Sequence, residues 1–105
     1  MSGPDFWFDF EAASLLDLKA AGALRYATDA STRTIVLAYA IGDGPARAWH
    51  ADGAILDWDR APDDLRTAFG RGGTGAAWNA SFDSNIWNYS TLGFPFLTPD
   101  GLSIR

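Results

Sequence analysis

The sequence predicts an α/β domain built on a mixed sheet, an antiparallel hairpin plus a parallel strand, with flanking helices. Three observations lead there. Phe6-Trp7-Phe8-Asp9-Phe10-Glu11 alternates with the period of a strand. Thr34 to Ala51 reads as two apolar runs about a glycine-proline turn. A helical stretch from Asp59 to Gly70 then leads to a short apolar run, Ala76 to Asn79, as a crossover to a parallel strand requires.

Taken in order, the first run sends Phe6, Phe8 and Phe10 to one face and Trp7, Asp9 and Glu11 to the other. Ser14, with Asp17 three residues on, reads as a variant capping box. Leu15, Leu18 and Gly22 keep helical spacing, with Gly22 as the stop. Thr34 to Ile41 is β-branched and apolar, Gly42-Asp43-Gly44-Pro45 is a turn, and Ala46 to Ala51 returns. Asp59-Arg60-Ala61-Pro62-Asp63-Asp64 carries the acids and proline of a helix start, placing Leu65, Ala68 and Phe69 on the core side. Gly70 to Gly75 is glycine-rich but lacks the Gly-Lys-Ser/Thr ending of a phosphate loop, so it reads as a flexible connection. Ser81 to Leu92 is helical, with Phe82, Ile86 and Tyr89 on one stripe and Asp83 on its flank. Gly93 to Gly101 is a loop with aromatic anchors, and Leu102 to Arg105 begins another strand.

At 105 residues the chain is expected to be one domain, with 48% hydrophobic and 20% charged residues. The net charge of −5, without a Lys/Arg cluster, argues against a basic scaffold that holds nucleic acid by charge alone. Bound metal ions would invert that local charge. The absence of cysteine excludes disulfides, zinc-thiolate sites and thiol catalysis. No basic segment followed by an apolar core opens the chain, and no apolar run approaches the roughly 20 residues of a bilayer span. A cytoplasmic protein is expected.

Asp9, Glu11 and Asp83 are the candidate site. Two carboxylates project from an otherwise buried strand, and buried carboxylates need a partner. Glu11 is the only glutamate in the chain. Hard oxygen ligands select Mg²⁺ or Mn²⁺, and a pair of such ions about 4 Å apart hydrolyses phosphodiesters. The competing expectation is structural, with Asp9 and Glu11 at an exposed strand end and Asp83 at a favourable helix N-terminus. His50, the sole histidine, reads as a surface or packed residue, and no Ser-His-Asp arrangement is arguable. The five tryptophans suit base stacking, although Trp78 and Trp87 read as core or interface.

Phe8-Asp9-Phe10-Glu11 resembles the Asp-x-Glu first motif of the DEDD 3′–5′ exonucleases. Ala77-Trp78-Asn79-Ala80-Ser81-Phe82-Asp83 is similar to their second motif, Asn-x-x-x-Phe/Tyr-Asp. Ser14 to Lys19, Gly22, Arg25-Tyr26-Ala27, Leu37 to Ala40 and Trp49 extend the likeness to the exonuclease domain of bacteriophage family-A DNA polymerases, from about Phe6 to Phe96. The resemblance implies an RNase H-like fold and a two-metal hydrolysis of single-stranded DNA 3′ ends with Mg²⁺ or Mn²⁺. By it, Asp9 bridges the two metals, Glu11 holds the catalytic metal and its water, and Asp83 supports the second. Asn79 would steady the site or contact the nucleotide, and groups near Phe10 and Phe82 would pack on the terminal base.

The departures are specific. Ala12 and Ala13 stand where Thr or Ser usually follows the first motif. The third motif, Tyr-x-x-x-Asp or His-x-x-x-x-Asp, is missing: before Asp100 stand Phe96 and Pro95. The resemblance thus implies a C-terminally truncated exonuclease domain with three of four carboxylates and without the polymerase portion. The alternative expectation is a non-catalytic scaffold that binds nucleic acid or a protein partner, or self-associates through the surface that truncation exposes.

Overall fold

The structure, a computed structural model, describes residues 6–53, 55–70, 75–77, 79–98 and the backbone of 102–104. The glycine-rich stretch considered as a phosphate loop, Trp78 and Asp100 lie outside the described residues.

The chain forms a small α/β domain. Strand β1 spans Phe6–Ala13, β2 Arg33–Ile41, β3 Arg47–His50, β4 Gly75–Ala77 and β5 Leu102–Ile104. Helix α1 spans Leu18–Ala21, α2 Ala23–Thr28, α3 Asp63–Gly70 and α4 Ala80–Tyr89. The sheet order is β3-β2-β1-β4-β5. β1 pairs with β2 and β2 with β3 antiparallel, whereas β1–β4 and β4–β5 are parallel. The hairpin, the parallel strand after a helical crossover, and the late strand thus form as the sequence predicts.

The alternation in β1 is nearly complete. Phe6, Phe8 and Phe10 are 0%, 2% and 5% exposed, while Asp9 and Glu11 are open to solvent. The phenylalanine face packs on α4 and α3. Trp87 of α4 is fully buried, its ring 5.9, 5.3 and 6.4 Å from those of Phe6, Phe8 and Phe10. Phe69 of α3 and Phe94 beyond α4 close around it at 5.6 and 4.9 Å. The tail after α4 is tied down by polar bonds. Trp87 Nε1 donates to the Pro95 carbonyl at 2.8 Å, and Asn88 bonds both the N–H and the carbonyl of Leu97.

Several boundaries differ from expectation, each for a local reason. Ser14 does not cap a helix: its hydroxyl accepts from the N–H of Leu16 and pairs with Ser31 across a turn. Asp17 is the cap instead, accepting from Lys19 N–H at 3.2 Å. Gly22 does stop α1, at φ +84°, but the chain re-enters helix at once as α2. The helix expected from Asp59 begins as a 3₁₀ turn, Trp58–Arg60, and breaks at Ala61, which is extended before Pro62. The strand expected over Ala76 to Asn79 lies at Gly75–Ala77, because Asn79 is spent capping α4. α4 ends at Tyr89, which is 47% exposed rather than on the core stripe. The buried line runs through Ala80, Asp83, Ile86 and Trp87.

Candidate functional site

Asp9 sits in mid-strand, not at the strand end that a merely structural role would suggest, because β1 continues to Ala13. It lies opposite Ala38 of β2, and Glu11 lies opposite Val36, just before a bulge between Glu11 and Ala12. Val36 in turn pairs with His50 of β3, which places exposed His50 in the same cross-strand row as Glu11.

Asp83 reaches the site from the first turn of α4. Asn79 caps that helix, its side-chain oxygen accepting from Phe82 N–H at 3.3 Å while its carbonyl accepts from Asp83 N–H at 2.8 Å. The β1–β4 ladder ends at Phe8↔Ala77, so β4 provides no partner for Phe10. Asp83 Oδ1 takes that place, accepting the Phe10 N–H at 3.0 Å. A carboxylate thus continues the sheet where the short strand stops.

The arrangement leaves a charge problem. Asp83 has 0% exposure, and its Oδ2 is buried without a hydrogen-bond partner among the described residues. Burial pushes its carboxyl up from 3.8 to about 6. The Phe10 N–H works against that rise, the charge of Asp9 adds to it, and the Asn79 backbone opposes it. An orphaned anionic oxygen beside a second carboxylate is satisfied by a proton or by a cation. Hard carboxylate oxygens suit Mg²⁺ or Mn²⁺, and Mg²⁺ is commonly held by one or two carboxylates with water and phosphate completing its shell. Asp83 offers an unsatisfied carboxylate oxygen of that type, with Asp9 near enough for its charge to act on it.

The structure does not draw all three predicted carboxylates into one ligand set. Among the described residues, no group of three His, Cys, Asp or Glu side chains is placed to hold one ion. The charge of Asp9 acts on Asp83, and Glu11 stands two residues along the same face of β1. Of the residues expected at a terminal base, Phe10 has its ring buried among Phe8 and Trp87 and presents no free face. Phe82 is half-buried with its ring 5.8 Å from Tyr26. Asn79 is exposed and acts as a cap.

One feature was missed in the sequence. A hollow of about 170 Å³ opens beside Asp9, bounded by Trp7 and by Ala38, Ala40, Ala46 and Ala76. Its signal was the alternation of large and small residues in Leu37-Ala38-Tyr39-Ala40. A larger cleft of about 440 Å³ lies elsewhere, near Trp49, Ile55 and Leu92. None of the three candidate carboxylates lines it, and its Arg60 is already paired with Asp52 at 2.8 Å.

Among the described residues no helix is long and apolar enough to cross a membrane. No protein-family model, curated protein or solved structure matches this chain.

Proposed function

We propose that this chain is a metal-dependent 3′–5′ exonuclease-like domain of the DEDD type, acting in the cytoplasm on single-stranded DNA 3′ ends. The observation that carries the reading is the buried, unpartnered Oδ2 of Asp83 beside Asp9. The mixed sheet order β3-β2-β1-β4-β5, with β2 the antiparallel neighbour of β1 and helices at the parallel crossovers, supports an RNase H-like assignment.

A bound Mg²⁺ or Mn²⁺ would supply Lewis-acid stabilisation of charge on a phosphodiester. The residues of the chain do the rest. Asp9 offers a carboxylate on the solvent side of the sheet, where a strand of DNA has access. Asp83 offers one from within, held in orientation by the Phe10 N–H and by the α4 cap at Asn79. Glu11 lies on the same face, two residues from Asp9, and would offer a further carboxylate oxygen to a bound cation. The burial of Asp83 keeps it from relaxing away into solvent, so the site is pre-organised for a cation.

A second reading has an observation in its favour. With no group of three ligating side chains together among the described residues, and no Tyr or His at the third-motif spacing before Asp100, a non-catalytic nucleic-acid-binding scaffold also fits. Catalytic groups act as a unit, so an incomplete set loses most activity.

Incubation with 5′-labelled single-stranded DNA and Mg²⁺ or Mn²⁺ separates the two. The exonuclease reading expects stepwise shortening from the 3′ end, stopped by chelation and reduced at least about 100-fold in Asp9→Ala. Equal inertness of the wild type and Asp9→Ala refutes catalysis and leaves the scaffold.

A further inference from the structure

We propose that the cleft between the segment after β3 and the turn after α4 binds a small organic ammonium ion, a protonated amine carried on one aromatic ring. None of Asp9, Glu11 and Asp83 lines it, and the proposal does not depend on the exonuclease reading.

Hydrogen bonds hold the cleft open in one shape. Leu56, 1% exposed, is the most buried of its lining residues, and its N–H donates to the buried Thr34 Oγ1 at 2.8 Å. Leu92 N–H donates to the Leu56 carbonyl at 2.9 Å, and Trp58 N–H donates to the Leu92 carbonyl at 2.8 Å. These bonds set Asp57 and Leu92 side by side as a parallel bridge. Trp49 of β3 packs in parallel on Phe94, their ring centroids 5.7 Å apart, and is half-buried where it lines the cleft.

Size admits a ligand and charge chooses it. At about 440 Å³ the cleft falls within the roughly 300–1,000 Å³ of ordinary ligand pockets. Ile55 and Leu92 line it and remain 40% and 54% exposed. One exposed aliphatic side chain is ordinary, but two in one concavity with a tryptophan leave apolar surface for a ligand to cover. The Asp52 carboxylate is offset by Arg60 at 2.8 Å. Asp57 is half-buried, and among the described residues no ion pair reaches it. Its Oδ1 accepts the Asp59 N–H at 3.0 Å, a neutral donor that leaves the charge uncancelled. The cleft therefore holds one net negative charge together with an indole. An ammonium group answers both, by a charge-assisted hydrogen bond to Asp57 and by cation–π attraction to Trp49. A carboxylate or phosphate would meet Asp57 as a like charge.

The test offers the full chain three probes of one shape: phenethylammonium, phenylethanol and phenylpropanoate. Binding is read by amide chemical-shift titration. The wild type should bind the ammonium at least about 5-fold more tightly than the alcohol, and the carboxylate most weakly. The shifts should centre on Gly53, Asp57 and Leu92. Asp57→Asn keeps a side-chain oxygen for the 3₁₀ turn and removes the charge, so it should lower ammonium affinity to that of the alcohol and leave the alcohol unchanged. No saturable binding of phenethylammonium at millimolar concentration, equal affinity for the three probes, a preference that survives Asp57→Asn, or shifts centred away from the cleft overturns the proposal. Tighter binding of a lysine tripeptide than of phenethylammonium also overturns it, in favour of a protein side chain. The comparison of probes on the wild type needs no variant to fold.

Discussion

Asp83 carries an ionisable group to a point without exposure, and its two oxygens meet different fates. Oδ1 is satisfied by the Phe10 N–H, while Oδ2 has no partner among the described residues. With the folded pKa raised to about 6 from 3.8, the native state holds a proton that the unfolded state has released between those values. Stability without divalent ions therefore falls as pH rises from about 4 to about 6. The penalty is fully present above pH 6, on the order of 2–3 kcal/mol at about 1.4 kcal/mol per pKa unit. Asp83→Asn keeps an oxygen for Phe10 and removes the charge. Urea unfolding at pH 8 in chelator should find Asp83→Asn more stable than the wild type, with the gap closing by pH 4. Addition of Mg²⁺ should stabilise the wild type and leave the variant unchanged. A variant less stable than the wild type at both pH values would show that the buried carboxylate carries no such cost.

The elements around that residue are short, and their lengths decide what it does. β4 has three residues and leaves Phe10 unpaired, which is the opening Asp83 fills. β4 also passes close beneath the aromatic face: a Cβ on Gly75 would lie 2.8 Å from Phe6 Cζ and 3.1 Å from Phe8 Cε1. Both rings are packed in the core, so neither yields freely. Gly75→Ala should cost about 1–3 kcal/mol by overpacking, seen as a lower thermal midpoint. An unchanged midpoint would mean that β4 shifts outward at little cost. The hairpin was legible because a β-branched run, a glycine turn and a second run are local signals, and Gly42 takes φ +54° in that turn. The split of α1 from α2, the break at Ala61 and the retreat of β4 from Asn79 were not. Each depends on a competition between two allowed local choices, such as Asn79 continuing a strand or capping a helix.

For the molecule as a whole, Trp87 is the hub. Its ring contacts those of Phe6, Phe8, Phe10, Trp58, Phe69 and Phe94, joining β1, α3, α4 and the tail. Trp87→Ala should cost about 3–5 kcal/mol. Against the 5–15 kcal/mol typical of a domain, that leaves the fold marginal or lost, measurable by denaturant midpoint and near-ultraviolet dichroism. The sequence by itself determined which face of β1 enters the core, since strand period is local and the three phenylalanines lie two apart. It also marked Asp9, Glu11 and Asp83 as the residues to watch. Only the tertiary structure decided that Asp83 is buried with an oxygen unpaired beside Asp9 while Glu11 stands apart. Only it set Trp7 and four alanines around a hollow. Those outcomes depend on where β4 stops and how β1, β2 and β4 are registered, distances across the chain that no local pattern specifies.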